Sequence, residues 1–202
     1  MSPYTAVVFD MGDVLFNWNP QAATEISVKS LGQIIKSDLW EEFERGNVTP
    51  HDCYHQLGRD FNLDPSKIAA TFVQTTGSLT PNETMSAIVR ELKSQGLLIY
   101  MMTNIVRPDF DTLRATDYMW DVFDGIFASG YLGMRKPDAC FYKHVFQSAG
   151  VPPAEMIFVD DKLENVVTAR ELGMTGIHFK NTTQACQEIK DLVGQEDFDK
   201  TA

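Results

Sequence analysis

Short apolar runs that alternate with helix-periodic segments restrict the fold of this 202-residue chain more than any other feature. Four runs stand out: Ala6 to Phe9, Leu97 to Met102, Ile126 to Ala128 and Met156 to Val159. Each is strand-sized, and all but the third stop directly against polar residues. Between them, Thr84 to Gln95 gathers Ile88, Val89 and Leu92 on one helical face, and Leu163 to Leu172 does the same with Val166, Val167, Ala169 and Leu172. Parallel strands need long crossovers, so strands separated by helices imply an α/β fold: a doubly wound parallel sheet covered on both faces.

The segment from about Asn17 to Leu79 breaks this alternation. It is rich in helix formers, is punctuated by Gly46, Pro50, Gly58 and Pro65, and offers no convincing strand. The expected organisation is therefore an α/β core made of residues 1–16 and 80–202, with an all-helical insertion, residues 17–79, after the first strand. The acidic end from Gln195 to Ala202 is expected to fray.

Composition narrows the classes of partner. With 44% hydrophobic and 22% charged residues the chain can bury a normal core, and disorder is excluded. A net charge of −11 and the lack of a Lys/Arg cluster argue against nucleic acid and anionic lipid. An anionic small molecule stays admissible, because one lysine, a metal ion or a helix N-terminus can reverse the field inside a pocket. Cys53, Cys140 and Cys186 are widely spaced and show no metal-ligand pattern, which suits reduced thiols in a cytoplasmic protein. No apolar run is long enough for a membrane span, and no leader is evident. The choice between monomer and homodimer is open.

Ligands of open α/β sheets bind outside the carboxyl ends of the strands, which directs attention to Asp10, Thr103, Asn104, Asp160 and Asp161. Asp10 ends the first run, and Gly12, two residues on, allows a sharp turn or close approach of a ligand. Thr103 and Asn104 end the second run and offer a hydroxyl and an amide suited to a phosphate oxygen, although a capping turn explains them equally well. Lys136, in GMRKPD, would neutralise a carboxylate and an incoming phosphate. Asp160 and Asp161 would repel each other at a buried strand end unless a cation or hydrogen bonds compensate, which points to a hard-cation site.

In this order the motifs FDMGDVLFNWNP, MMTN, RKPDACFY and FVDDKLENVVTARELGM resemble the four motifs of the haloacid dehalogenase superfamily, over essentially the whole chain. The resemblance implies a Rossmann-like core with a small helical cap, and a phosphatase that uses Mg2+. It implies that Asp10 is the nucleophile, forming an aspartyl-phosphate, and that Lys136 supports it. Thr103 and Asn104 would hold the phosphate, while Asp10, the Gly12 carbonyl, Asp160 and Asp161 would hold the metal. The expected partner is a small phosphorylated metabolite, a sugar phosphate or a prenyl phosphate or diphosphate.

One departure matters. Where the family usually carries a second Asp as general acid and base, this chain has Gly12, and the neighbouring Asp13 would point elsewhere. Loss of a general acid costs about a hundred- to ten-thousand-fold in rate, so turnover would be slow or confined to leaving groups that need little protonation. Two other readings compete: a metal-free 2-haloacid dehalogenase using Asp10, and a catalytically silent binding module. Trp18, Trp40, Phe43, Tyr54 and His55 could line an apolar or sugar-stacking pocket, but aromatics at helical spacing are commonly core. His51 and His55 lack an acidic partner for a zinc motif and are read as structural.

Overall fold

The computed structural model describes residues 2–19, 21 and 25–194; the expected frayed end from Gln195 to Ala202 lies outside them. Among these residues β1 (Ala6–Phe9), β4 (Leu98–Thr103), β5 (Gly125–Ala128), β6 (Met156–Asp160) and β7 (Thr175–His178) form a parallel sheet in the order β5-β4-β1-β6-β7. The central strand β1 pairs with β4 on one side and β6 on the other, Phe9 standing opposite Met101 and Val159. The carboxyl ends of β1, β4 and β6 therefore lie side by side, and the residues that follow them share one edge.

Alternation along β1 builds the two faces of the core. Val7 and Phe9 point into a cluster with Met85, Ile88 and Leu92 of α5 (Glu83–Ser94), Phe110 of α6 (Arg107–Arg114) and Ile189 of α10 (Thr182–Val193). Ala6 and Val8 point the other way, onto Phe141, Tyr142 and Val145 of α8 (Ala139–Ala149) and Ala169 of α9 (Leu163–Glu171). Apolar layers on both faces make the sheet doubly wound, as the strand and helix pattern implied.

Strand β7 follows no apolar run of the expected length. Its sequence, TGIH, carries Gly176 where α9 presses on the sheet: a side-chain carbon there would sit 2.8 Å from Val166 and 3.1 Å from Arg170. The glycine that admits the helix also erases the periodic signal.

The insertion is helical, with α1 (Val28–Ile34), α2 (Asp38–Glu44), α3 (Pro50–Phe61) and α4 (Pro65–Gly77). Each begins where the sequence supplies a side-chain cap: Ser27, Ser37, Thr49 and Asp64 accept from the backbone N–H groups of Ser30, Trp40, Asp52 and Ser66. Such caps contribute about 1 kcal/mol each. The cap has its own apolar centre, in which Leu31, Ile34, Trp40, Phe43, Leu57, Ile68 and Phe72 meet Val106 from the core. A short antiparallel pair, β2 (Phe16–Asn17) with β3 (Thr80–Pro81), forms the stem that joins the two bodies, although this stretch of sequence gave no strand signal. With two residues per strand, it has no periodicity to read.

Cap and core meet at a charged seam. Arg135 reaches Glu44 at 3.0 Å and Glu41 at 3.1 Å on α2, and Arg45 reaches back to Asp138 at 2.8 Å. Beside them Gly46, at φ 75°, brings its α-carbon so close to Gly130 that a side-chain carbon would lie 2.5 Å from the carbonyl oxygen. No helix among the described residues is long and apolar enough to cross a membrane.

Candidate active site

The edge shared by β1, β4 and β6 forms the floor of a cavity of about 510 Å³, and the cap forms its roof. Asp10 enters this floor directly from β1. Its N–H donates to the Val159 carbonyl at 2.9 Å, continuing the sheet one residue further, and its Oδ1 accepts from the Met11 N–H at 2.7 Å.

Lys136 is buried, and its Nζ lies 2.7 Å from Asp10 Oδ1 and 2.6 Å from Asp160 Oδ2. Burial disfavours the ammonium, but the two carboxylates outweigh that penalty and hold its pKa above the ordinary value. The Lys136 backbone is clamped from the core side: its N–H donates to Asn104 Oδ1 at 2.8 Å and its carbonyl accepts from Asn104 Nδ2 at 2.9 Å. The Asn104 amide is thus engaged with the lysine's main chain, at the rim of the cavity. Thr103, at the end of β4, is buried and lines the cavity next to it.

Asp160 and Asp161 are adjacent but differ in surroundings. Asp160 is fully buried and hydrogen-bonded on both oxygens: Oδ1 accepts from the Lys162 N–H at 2.8 Å, Oδ2 from Lys136, and Asn165 Nδ2 lies 3.0 Å from each. Asp161 is half-buried, lines the cavity and touches Lys162 Nζ at 2.5 Å. Burial pushes the Asp161 carboxyl upward, Lys162 draws it back, and Asp160 and Asp13 add to the rise. Asp10 behaves alike: burial raises it, Lys136 opposes, and Asp160 and Asp161 raise it further. One carboxylate oxygen from each of Asp10, Asp160 and Asp161 lies within 4.8 Å of the others. Three carboxylates face one buried ammonium and one exposed one, an excess of hard oxygen donors and negative charge that suits a small divalent cation.

Gly12 also lines the cavity, and nothing lies within 4 Å of where its side-chain carbon would be. Asp13, at φ 56°, also lines the cavity instead of pointing away from it, with Oδ1 accepting from the Trp18 N–H at 3.2 Å.

The roof is apolar. Trp18, Ile35, Trp40, Phe72 and Leu79 line it, with Ile105 and Val106 from the loop after β4. Trp40 stacks on Phe72 with ring centroids 4.0 Å apart. Of the aromatic candidates, Trp18 and Trp40 reach the cavity; Phe43 and Tyr54 pack edge-to-face at 5.7 Å within the cap instead. His55 sits on the outer surface of α3 against His51, with ring centroids 4.3 Å apart, away from the cavity. Among the wall residues that sequence reasoning does not single out are Phe72, Asp109 and Arg135. Burial pushes the Asp109 carboxyl up to about 6, while a hydrogen bond with Thr76 of the cap restrains the rise. Of these three, Arg135 alone carries a local signal, its position next to Lys136.

Comparison with known proteins agrees with this geometry. A family model described as haloacid dehalogenase-like hydrolase matches residues 4–173. The sesquiterpene phosphatase astK of Aspergillus oryzae is 56% identical, over 95% of this chain and 97% of that protein. The drimenol cyclase drtB of Aspergillus calidoustus is 38% identical over 94% of this chain, which spans only 36% of that longer protein. Among solved structures, a haloacid dehalogenase family enzyme of Bacteroides thetaiotaomicron, in complex with magnesium and inorganic phosphate, superposes with a TM-score of 0.71 at 20% identity, covering 97% of this chain and 98% of that one. The L-2-haloacid dehalogenase of Xanthobacter autotrophicus gives 0.66 at 22% identity, over 95% and 84% respectively, and at this identity the likeness is one of fold.

Proposed function

This chain belongs to the haloacid dehalogenase-like hydrolases and is a phosphatase of that family, and we propose that it hydrolyses a prenyl phosphate ester through an aspartyl-phosphate on Asp10. The observation that carries the reading is the chain of contacts Asp10–Lys136–Asp160, at 2.7 and 2.6 Å, on the floor of a cavity whose roof carries the apolar patch of Trp18, Ile35, Trp40, Phe72 and Leu79.

In this reading Asp10 attacks phosphorus, and water then cleaves the acyl phosphate and restores the carboxylate. Lys136, already in contact with the nucleophile, neutralises the charge that builds on the transferring group. Asn104 holds the lysine's backbone in place, and the buried Thr103 hydroxyl offers a hydrogen bond to a phosphate oxygen. Mg2+ fits the carboxylates of Asp10 and Asp161 with the Gly12 carbonyl, because Asp160 already spends both oxygens on Lys136, Asn165 and the Lys162 N–H. The ion would screen the approach of a carboxylate to an anionic phosphate.

The roof favours a prenyl over a sugar substrate. Its stacked Trp40 and Phe72, with Trp18, Ile35 and Leu79, present hydrocarbon surface, and burying a CH₂ group against such a wall contributes about 0.8 kcal/mol. A relative that is named a sesquiterpene phosphatase supports the same choice.

The test is phosphate release from prenyl phosphates, sugar phosphates and nucleotides, with and without magnesium, alongside halide release from 2-chloropropionate. Expected is magnesium-dependent release, highest for prenyl substrates and reduced by at least about ten-thousand-fold in Asp10→Asn, whose amide keeps the shape but not the nucleophile. Metal-free halide release would move the chain to the dehalogenase reading. Full activity of the Asp10 variant would remove the covalent mechanism.

A further inference from the structure

The floor of this site lacks a proton source for a poor leaving group. When a carboxylate displaces an alkoxide from phosphorus, the departing oxygen needs a proton in the transition state. At position 12 there is no side chain to give it, only open space. Of the other carboxyl groups that line the cavity, Asp13 accepts from the Trp18 N–H, Asp161 meets Lys162, and Glu41 and Glu44 pair with Arg135, while Asp109 and Glu164 stand on α6 and α9, off the strand that carries Asp10. The wall also carries positive charge beyond Lys136. Lys162 faces the cavity from the start of α9, paired with Asp161, whereas Lys36 faces it from the turn between α1 and α2 and has no carboxylate partner among the described residues.

We infer that the substrate is a prenyl diphosphate attacked at its terminal phosphorus, so that the group that leaves is a prenyl monophosphate and needs no general acid. This rests on the phosphatase reading above and specifies its substrate. An Asp10 oxygen forms the new bond to the terminal phosphorus as the bond from that phosphorus to the bridging oxygen breaks. The electron pair stays on the bridging oxygen, which becomes part of the monophosphate. A phosphate monoester has its second pKa near 6, so this group departs as a stable dianion. Water then hydrolyses the acyl phosphate to inorganic phosphate and the Asp10 carboxylate, releasing one proton to solvent. Lys36 supplies charge for the second phosphate, which a monophosphate substrate would leave unanswered.

The discriminating experiment compares farnesyl diphosphate with farnesyl monophosphate in the presence of magnesium, following phosphate release and the organic product. The wild type is expected to favour the diphosphate by about a hundredfold in kcat/KM, the low end of what a general acid contributes, and to accumulate farnesyl monophosphate. Gly12→Asp, which has room for its carboxyl, should raise monophosphate hydrolysis and narrow the ratio by about tenfold or more; Lys36→Met should narrow it from the other side, by weakening the diphosphate. A leaving-group series of aryl phosphates needs no variant: without an acid, kcat/KM should fall steeply as the leaving-group pKa rises from p-nitrophenyl to phenyl phosphate. Equal or better use of the monophosphate, or a flat leaving-group series, would overturn the inference while leaving a phosphatase. No phosphate from any of these compounds would instead count against the phosphatase reading itself, and with it against this inference.

Discussion

The floor and the roof of this cavity are built on opposite principles. The charged groups at the centre of the floor are pinned by others: Asp10 by the Met11 N–H and Lys136, Lys136 by Asn104 and Asp160, Asp160 by Asn165 and the Lys162 N–H. The roof is held by packing inside the cap, and it meets the core through the ion pairs of Arg135 and Arg45 and the contact of Val106 with the cap's apolar centre. A hydrogen-bonded floor fixes angles and charge, which chemistry at phosphorus requires. A packed roof fixes only shape, which is enough to choose a tail. The division also explains why the reactive groups come from distant points of the chain while the wall comes largely from one insertion.

If the floor works as a unit, removing its one buried cation should have the largest effect. Lys136→Met leaves Asp10 and Asp160 facing each other without compensation. We expect kcat to fall by about a thousandfold, as for loss of a key charge-stabilising donor, and stability to fall by about 3–5 kcal/mol, as when a buried pair loses one partner. Steady-state kinetics and urea unfolding measure the two. A variant with normal stability would show that the floor is less tightly coupled than its contacts imply.

The seam should respond less. Arg135→Met leaves Glu44 with its side chain only 14% exposed and without its cation, and burial already pushes that carboxyl upward against the pull of Arg135. The expected loss is about 1–3 kcal/mol, the penalty of an unsatisfied partly buried group. In a chain of this size that lowers the melting temperature by several degrees. KM for a prenyl substrate should rise more than kcat falls, because α2 carries Trp40 as well as Glu44. An equal fall of kcat with unchanged KM would place Arg135 with the floor rather than the roof.

The same contrast decides what could be read in the sequence. Strand ends are legible, because an apolar run that stops at a polar residue marks both the strand and the edge where ligands of such sheets bind; Asp10, Thr103, Asp160 and Asp161 stand at such ends, and Lys136 is marked by its motif. Strand β7 was not, since Gly176 interrupts its pattern to let Val166 approach. The cap's existence was legible from its broken alternation and its capping residues, but the roles of its aromatics were not. Trp40 and Phe43 are three residues apart on one short helix, yet Trp40 lines the cavity while Phe43 packs on Tyr54. Nothing local separates them, because the packing of α3 and α4 decides which way each ring faces. Asn104 shows another limit: residue type suggested a phosphate ligand, and only the fold reveals that its amide meets the Lys136 backbone.

The smallest effect is a test of how tightly roof and floor close on each other. Asp109 stands in the first turn of α6, where α4 of the cap packs, and burial there raises its carboxyl from 3.8 to about 6. The folded protein therefore keeps a proton on Asp109 at pH values where the unfolded chain has lost it. Because the folded state binds the extra proton, its stability falls as pH rises from about 4 to about 6, and the penalty is complete above that. Asp109→Asn cannot ionise but can still hydrogen-bond Thr76. It should match the wild type near pH 4 and exceed it above pH 6 by about 1–2 kcal/mol, the full shift being reduced by partial solvent contact. Thermal unfolding of both proteins across pH 4–8 isolates this carboxyl, since the other titrating groups are common to the two. A constant difference across that range would mean that water reaches Asp109 freely, and hence that the cap stands away from α6 in solution rather than closing over the floor.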